Sequence, residues 1–370
     1  MDHSDVEAAV FASRVTGCLL AGAVGDALGG PVEFSTLFGL RRQYGDAGIT
    51  DLERTASITD DTQMTLFTVE GLIRHRVRIP GRSAGSVERA VSRALYRWRE
   101  TQNHGSPADV APGEHRDGWL LSREWLYRRR APGQACLSGV ERRLSHFAEW
   151  GRSGEINPES KGCGTVMRSA PFGLYAVDAP TAFELAARCA QYTHGHPTGY
   201  LAAGAFAALI HHVGRGVELT PAVSLTLDLL SGYPGGDETA EALRGALALA
   251  EQGSPTAEKV ELLGGGWVAE EALAIAVYCA STATGAGAVR MRRALLSSVN
   301  HSGDSDSTGA MCGNLMGALL GAEAIPGDWL ARLEHRDEIG ALAADFVLSL
   351  RDGGVLSRGL AAWQSRYPGA

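Results

Sequence analysis

Asp304-Ser305-Asp306-Ser307-Thr308-Gly309-Ala310-Met311-Cys312-Gly313-Asn314-Leu315-Met316-Gly317-Ala318-Leu319-Leu320-Gly321 opens with acids and hydroxyls and continues as an apolar stretch with glycine at every fourth position. Residues at i and i+4 share one helix face, so this glycine row lets a neighbouring helix come unusually close. The same rhythm recurs in Gly17, Ala21, Gly25, Gly29 and in Gly199, Ala203, Ala207. Glycine inside a helix costs about 0.5–1 kcal/mol relative to alanine, so its repeated use implies that close packing, or room for a ligand, offsets the loss. The expectation is a tight central bundle.

Helical apolar spacing continues along almost the whole chain, and strand alternation bounded by turn signals is hard to find. The predicted fold class is all-α, a single compact multi-helix bundle over residues 1–370. Predicted helices cover 6–28, 61–78, 83–101, 137–150, 180–193, 197–213, 219–231, 237–252, 268–283, 285–299, 306–322 and 336–350. The segment 102–160 is richer in turn residues and charge than its flanks and reads as a lid or insertion, too short for a separate domain.

With 370 residues, 45% hydrophobic and 21% charged, the chain can bury a large core. A formal net charge of -8 with interspersed arginines leaves no dominant basic face, which argues against nucleic-acid binding as the main function. Six cysteines without C-x-x-C spacing, several on apolar helical stretches, point to a reducing compartment. The N-terminus begins with acids, and no run reaches the roughly 18 apolar residues of a membrane span. A cytoplasmic protein that does not engage a membrane is expected.

Thr59-Asp60-Asp61-Thr62 and Asp304-Ser305-Asp306-Ser307-Thr308 each stand where a loop becomes a helix. Thr, Ser and Asp are favoured N-caps, and capping alone accounts for either cluster taken singly. Capping does not need paired aspartates interleaved with hydroxyls, however. Brought together, two carboxylates about 4 Å apart oppose each other by roughly 4 kcal/mol near a protein surface, and an all-oxygen donor set suits Mg²⁺ or Mn²⁺ rather than Zn²⁺. The two roles are compatible.

Four further segments carry chemistry. Gly29-Gly30-Pro31 breaks the first helix and leaves Glu33 on a turn from which a carboxylate can reach a site. Ser160-Lys161-Gly162-Cys163-Gly164-Thr165-Val166-Met167-Arg168 is a G-x-G loop opening onto a helix, able to offer backbone N–H groups and a cation to phosphate oxygens. His194 and His196, two apart, do not share a helix face; hydrogen bonding to a substrate and to the core stand as equal readings. Trp267, after Gly264-Gly265-Gly266, either anchors the core or stacks on a base.

In order along the chain, GDALGGPVEF, SITDDTQMTL, SKGCGTVMRSAPFGL, THGHP, GWVAEEAL and NHSGDSDSTGAMCGNLMGA resemble the ADP-ribosylglycohydrolase family over roughly residues 14–325. The resemblance implies an all-α bundle with two Mg²⁺ or Mn²⁺ ions in a central cleft and an ADP-ribosylated protein or other ADP-ribose conjugate as partner, nucleic acid only as a modified substrate. It assigns Thr59, Asp60 and Asp61 to one side of the metals and Asp304, Asp306 and Ser307 to the other. Glu33, in catalysis or gating, and Asp304 take the catalytic roles. Gly162, Cys163, Gly164, Thr165 and Arg168 fall on the loop that contacts ADP-ribose, one of His194 and His196 faces the substrate, and Trp267 adjoins it. Ser307 stands where many members have Thr, and Cys163 where others often have Asn.

The implied activity is hydrolysis of the glycosidic bond between ADP-ribose and its acceptor. Two alternatives are a non-catalytic ADP-ribose-binding relative and, from the D-x-D-x-T pattern at Asp304, a haloacid-dehalogenase-like phosphatase. The latter needs a buried strand before Asp304.

Overall fold

The computed structural model describes residues 3–77, 86–351 and 360–368. Among the described residues the helices are α1 (His3–Gly29), α2 (Leu37–Tyr44), α3 (Asp60–Arg76), α4 (Val87–Asn103), α5 (Gln134–Val140), α6 (Ala170–Tyr175), α7 (Ala179–Ala190), α8 (Pro197–Gly214) and α9 (Leu219–Leu230). They continue with α10 (Asp237–Ala250), α11 (Ala257–Glu261), α12 (Ala269–Thr282), α13 (Gly287–Val299), α14 (Ser305–Leu320), α15 (Gly327–Arg332), α16 (Arg336–Leu350) and α17 (Leu360–Arg366). Among the described residues, extended pairing is confined to two isolated bridges, Ala56 with Leu333 and Gly162 with Val268. The fold is all-α.

The glycine rows of α1 and α14 meet antiparallel. A Cβ on Gly309 would lie 2.9 Å from the Gly25 carbonyl carbon, one on Gly313 2.6 Å from that of Ala21, and one on Gly17 2.6 Å from that of Gly321. Side chains larger than hydrogen would force the helices apart. At the end of this seam a Cβ on Gly29 would lie 2.5 Å from the Asp306 backbone nitrogen. The contact that builds the core therefore also sets the turn after α1 against the first turn of α14. Around this pair α8 packs by the same device, with Gly204 against Phe183 of α7 and Gly173 of α6 against the α8 backbone at His211.

The helix α1 corrects one expectation. By length and composition it could cross a membrane, whereas no run of that kind was anticipated. Here its segment from Leu19 to Leu28 is buried against other helices. The predicted helix 137–150 is also corrected: α5 runs only from Gln134 to Val140. Beyond it, tertiary partners take the backbone donors, Ser145 N–H going to the Glu155 carboxylate (2.8 Å) and Ala148 N–H to Gln191 Oε1 (2.8 Å). Predicted helical residues 78 and 83–85 lie outside the described ones.

The segment 102–160 is mostly irregular, with short 3-10 turns, and is tied to the helices. The Leu120 N–H donates to Glu70 (3.3 Å), Arg74 pairs with Asp117 (2.8 Å), and Arg130 pairs with Glu334. Leu120, Leu126 and Cys136 are buried with the main core.

Candidate metal centre and its cleft

Three chain breaks converge on one point. After α1, a 3-10 turn at Gly30–Val32 leads to Glu33, whose N–H donates to the Gly29 carbonyl (3.0 Å). The next residue, Phe34, holds φ +68, a left-handed conformation uncommon outside glycine and a mark of local strain. At the start of α3, the Thr59 hydroxyl accepts the Asp61 N–H (3.3 Å) as N-cap, leaving Asp60 and Asp61 buried in the first turn. At the start of α14, Asp304 caps by accepting the Ser307 N–H (3.3 Å), while its own N–H donates to the Gly265 carbonyl (2.8 Å). Helix N-termini carry partial positive charge, which favours carboxylates there.

One carboxylate oxygen from each of Glu33, Asp304 and Asp306 lies within 4.8 Å of the others. The electrostatic consequence is large. Burial and then the charge of Asp306 push Asp60, Asp61 and Asp304 well above the usual carboxylate range. Burial, followed by Asp306 and Asp304, raises Glu33 to about 9. The Asp61 Oδ1 atom is buried with no hydrogen-bond partner, a costly state for a carboxylate. Crowded oxygen donors and an orphaned buried oxygen are what a hard divalent cation would relieve, so this donor set fits Mg²⁺ or Mn²⁺.

A residue missed in the sequence stands behind the cluster. Asp26, fully buried within α1, accepts the N–H groups of Thr59 (3.0 Å) and Thr62 (3.1 Å) and the Thr62 hydroxyl. Burial and the Asp306 charge raise it to about 7. The signal was a lone acid inside the apolar run LLAGAVGDALGG.

The carboxylates open into a cleft of about 350 Å³, lined also by Phe34, Pro132–Cys136, Gly162, Cys163, Gly164, His194, Trp267 and Ser307. Cys163 Sγ lies 2.8 Å from Asp304 Oδ2 and donates to it; burial and the Asp304 charge raise this thiol well above its ordinary value. His194 is buried, with Nδ1 2.8 Å from the Thr193 hydroxyl, and burial together with Arg168 lowers it to about 3, which keeps the ring neutral. A Cβ on Gly162 or Gly164 would come 3.2 Å from its ring. Trp267 is 42% exposed and Phe34 69%, and they stack with centroids 5.3 Å apart at the mouth. Trp267 thus stands at the surface of the cleft rather than in the core.

Other expected contacts lie off the cleft wall. The Thr165 hydroxyl donates to the Gly199 carbonyl (2.7 Å), and the Arg168 guanidinium donates to Gly164 O and to Thr193 Oγ1 (2.8 Å), bracing the loop from behind. His196 caps α8, its Nδ1 accepting the Thr198 N–H (3.2 Å). Lys161 is held by Glu238 and Glu270, so the G-x-G loop presents neither of its cations to the cleft. Thr59 does not line the cleft either; its hydroxyl lies 3.4 Å from Asp61 Oδ2. Asp304 follows α13 and a turn rather than a strand, which removes the phosphatase alternative.

Comparison with known proteins identifies the family. Over 334 residues the chain is 26% identical to the ADP-ribosyl-[dinitrogen reductase] glycohydrolase of Rhodospirillum rubrum, covering 88% of this chain and 92% of that protein. An uncharacterized protein of Archaeoglobus fulgidus is 28% identical over 335 residues, covering 88% and 93%. Among solved structures, an ADP-ribosylglycohydrolase-related protein complex aligns with TM-score 0.59 and 25% identity, over 92% of this chain and 99% of that one. The family model for ADP-ribosylglycohydrolase matches residues 7–354, and the chain belongs to that family of hydrolases.

Proposed function

We propose that the chain is a divalent-metal-dependent hydrolase that cleaves the glycosidic bond between ADP-ribose and a modified macromolecule or small acceptor, releasing ADP-ribose. The observation that carries this reading is the approach of Glu33, Asp304 and Asp306 within 4.8 Å at the floor of an open cleft. Asp60, Asp61, Asp304 and Asp306, with the Ser307 hydroxyl, are the groups that would hold two Mg²⁺ or Mn²⁺ ions. Such ions, when bound, stabilise developing negative charge and lower the pKa of a bound water.

The remaining work falls to side chains. Glu33 alone in the cluster sits on a loop at the partly exposed edge, so its carboxyl is the group positioned to take a proton from water or give one to the leaving group, assistance typically worth about 10²–10⁴ in rate. The neutral His194 ring offers substrate a hydrogen bond but no charge at neutral pH. Gly162 and Gly164, lacking Cβ atoms, let the His194 ring pack close against the loop backbone. Trp267 and Phe34 offer a flat apolar surface to a planar group. The six free cysteines are compatible with a cytoplasmic setting.

The test is release of free ADP-ribose from modified protein with Mg²⁺ or Mn²⁺, and its loss with chelator. No release from arginine-, serine- or nucleic-acid-linked ADP-ribose would overturn the catalytic reading in favour of a binding relative.

A further inference from the structure

We infer that Glu271 is a positioning residue for the cleft, acting through the loop Gly264-Gly265-Gly266-Trp267; the inference rests on the metal-dependent reading above. Glu271 Oε2 accepts the N–H of Gly265 (3.0 Å) and of Gly266 (3.2 Å), so one carboxylate oxygen holds two successive backbone donors. The loop is shaped around that carboxylate. Gly264 and Gly266 have φ +112 and +76, and a Cβ on Gly264 would lie 2.6 Å from Glu271 Cγ.

From this loop three bonds or contacts lead to the site. The Gly265 carbonyl accepts the Asp304 N–H (2.8 Å), fixing the backbone of an acid of the cluster. The Trp267 carbonyl accepts the Cys163 N–H (3.1 Å), and the Cys163 thiol in turn touches Asp304. The Trp267 ring stacks on Phe34, the neighbour of Glu33. Glu271 thus holds the loop that reaches the α14 terminus, the G-x-G loop and the Glu33 turn.

A glutamate in the first turn of a helix would ordinarily serve that helix's own N-terminus. Glu271 instead reaches back to residues before α12, and the adjacent Glu270 is committed to Lys161. Groups that orient metal ligands typically account for 10–100-fold in metal affinity or activity.

The test is Mn²⁺ binding to the full chain, followed by the electron paramagnetic resonance signal of free Mn²⁺, with KM and kcat for an ADP-ribose conjugate alongside. In Glu271→Ala the Mn²⁺ dissociation constant rises about 10–100-fold and KM rises with it, with unchanged helix content. In Glu271→Gln, whose amide oxygen can accept the same two N–H groups, wild-type Mn²⁺ affinity is restored. Unchanged Mn²⁺ affinity in Glu271→Ala overturns the proposal, and so does equal weakening in both variants, which would assign the effect to charge. Should the alanine variant fail to fold, Glu271→Asp keeps the charge, withdraws the oxygen by one methylene and is read the same way. Because Mn²⁺ binding is read without turnover, absence of hydrolysis would count against the proposed activity and leave this result to stand or fall alone.

Discussion

Both carboxylate oxygens of Asp26, in the apolar run of α1, lie 3.0 Å from the backbone nitrogen of Thr59 at the head of α3. One helix therefore caps another, and the acids of α3 are held against α1 by a group that does not line the cleft. Asp26→Ala would leave the N–H groups of Thr59 and Thr62 buried without partners, at about 1–3 kcal/mol each. The expected outcome is a lower denaturation midpoint together with weaker Mn²⁺ binding. Wild-type values for both would show that α3 is positioned by other means.

Proton uptake makes the cation-free protein sensitive to alkali. Asp26 rises from 3.8 to about 7, chiefly through burial and then the Asp306 charge, and Glu33 rises from 4.5 to about 9 for the same reasons. For an acid whose folded pKa is raised, the stabilising contribution is complete below the unfolded value and is lost as pH climbs through the folded one. In chelator, the melting temperature should fall as pH rises above the unfolded values, the Asp26 share being lost by about 7 and the Glu33 share by about 9. Saturating Mg²⁺ or Mn²⁺ should flatten that fall. A chelated protein that is equally stable across the window would contradict the crowding of charge.

Two glycine-to-alanine changes should move stability in opposite directions. Gly309→Ala drives a methyl group into the Gly25 backbone at the seam between α1 and α14, and overpacking of this kind costs about 1–3 kcal/mol. Gly245→Ala, inside α10 with open space around its Cβ position, should gain about 0.5–1 kcal/mol. Urea denaturation of the pair decides the matter. Equal effects would mean that the seam relaxes freely.

Asp304→Asn should abolish cation-dependent release of ADP-ribose while circular dichroism still reports nearly intact helix content. Glu33→Gln should reduce turnover more than it reduces Mn²⁺ occupancy. Full turnover in the first variant, or an equal loss of both quantities in the second, would reassign these residues.

The glycine rows and the acidic clusters were legible in the sequence because each breaks the composition around it: small residues on an apolar face, and carboxylates where a helix begins. Side of approach was not legible. Thr165, Arg168 and His196 share motifs with residues on the cleft wall, yet their polar atoms turn into the protein, since a loop has two faces and spacing does not distinguish them. Asp26 was overlooked because it reads as helix interior, and only the path of α3 across α1 reveals its partners. The missing second half of the helix expected over 137–150 has the same origin, in bonds to Glu155 and Gln191.

The meeting of Gly29 with the first turn of α14 joins the opening and closing stretches of the polypeptide. During synthesis the early acids must wait in the nascent chain until Asp306 has left the ribosome, a closure that is slow because its contacts are so distant in sequence. A product truncated before that point lacks Asp304 and Asp306, two of the three acids that approach within 4.8 Å. Early truncation should therefore remove the acidic cluster outright instead of weakening it.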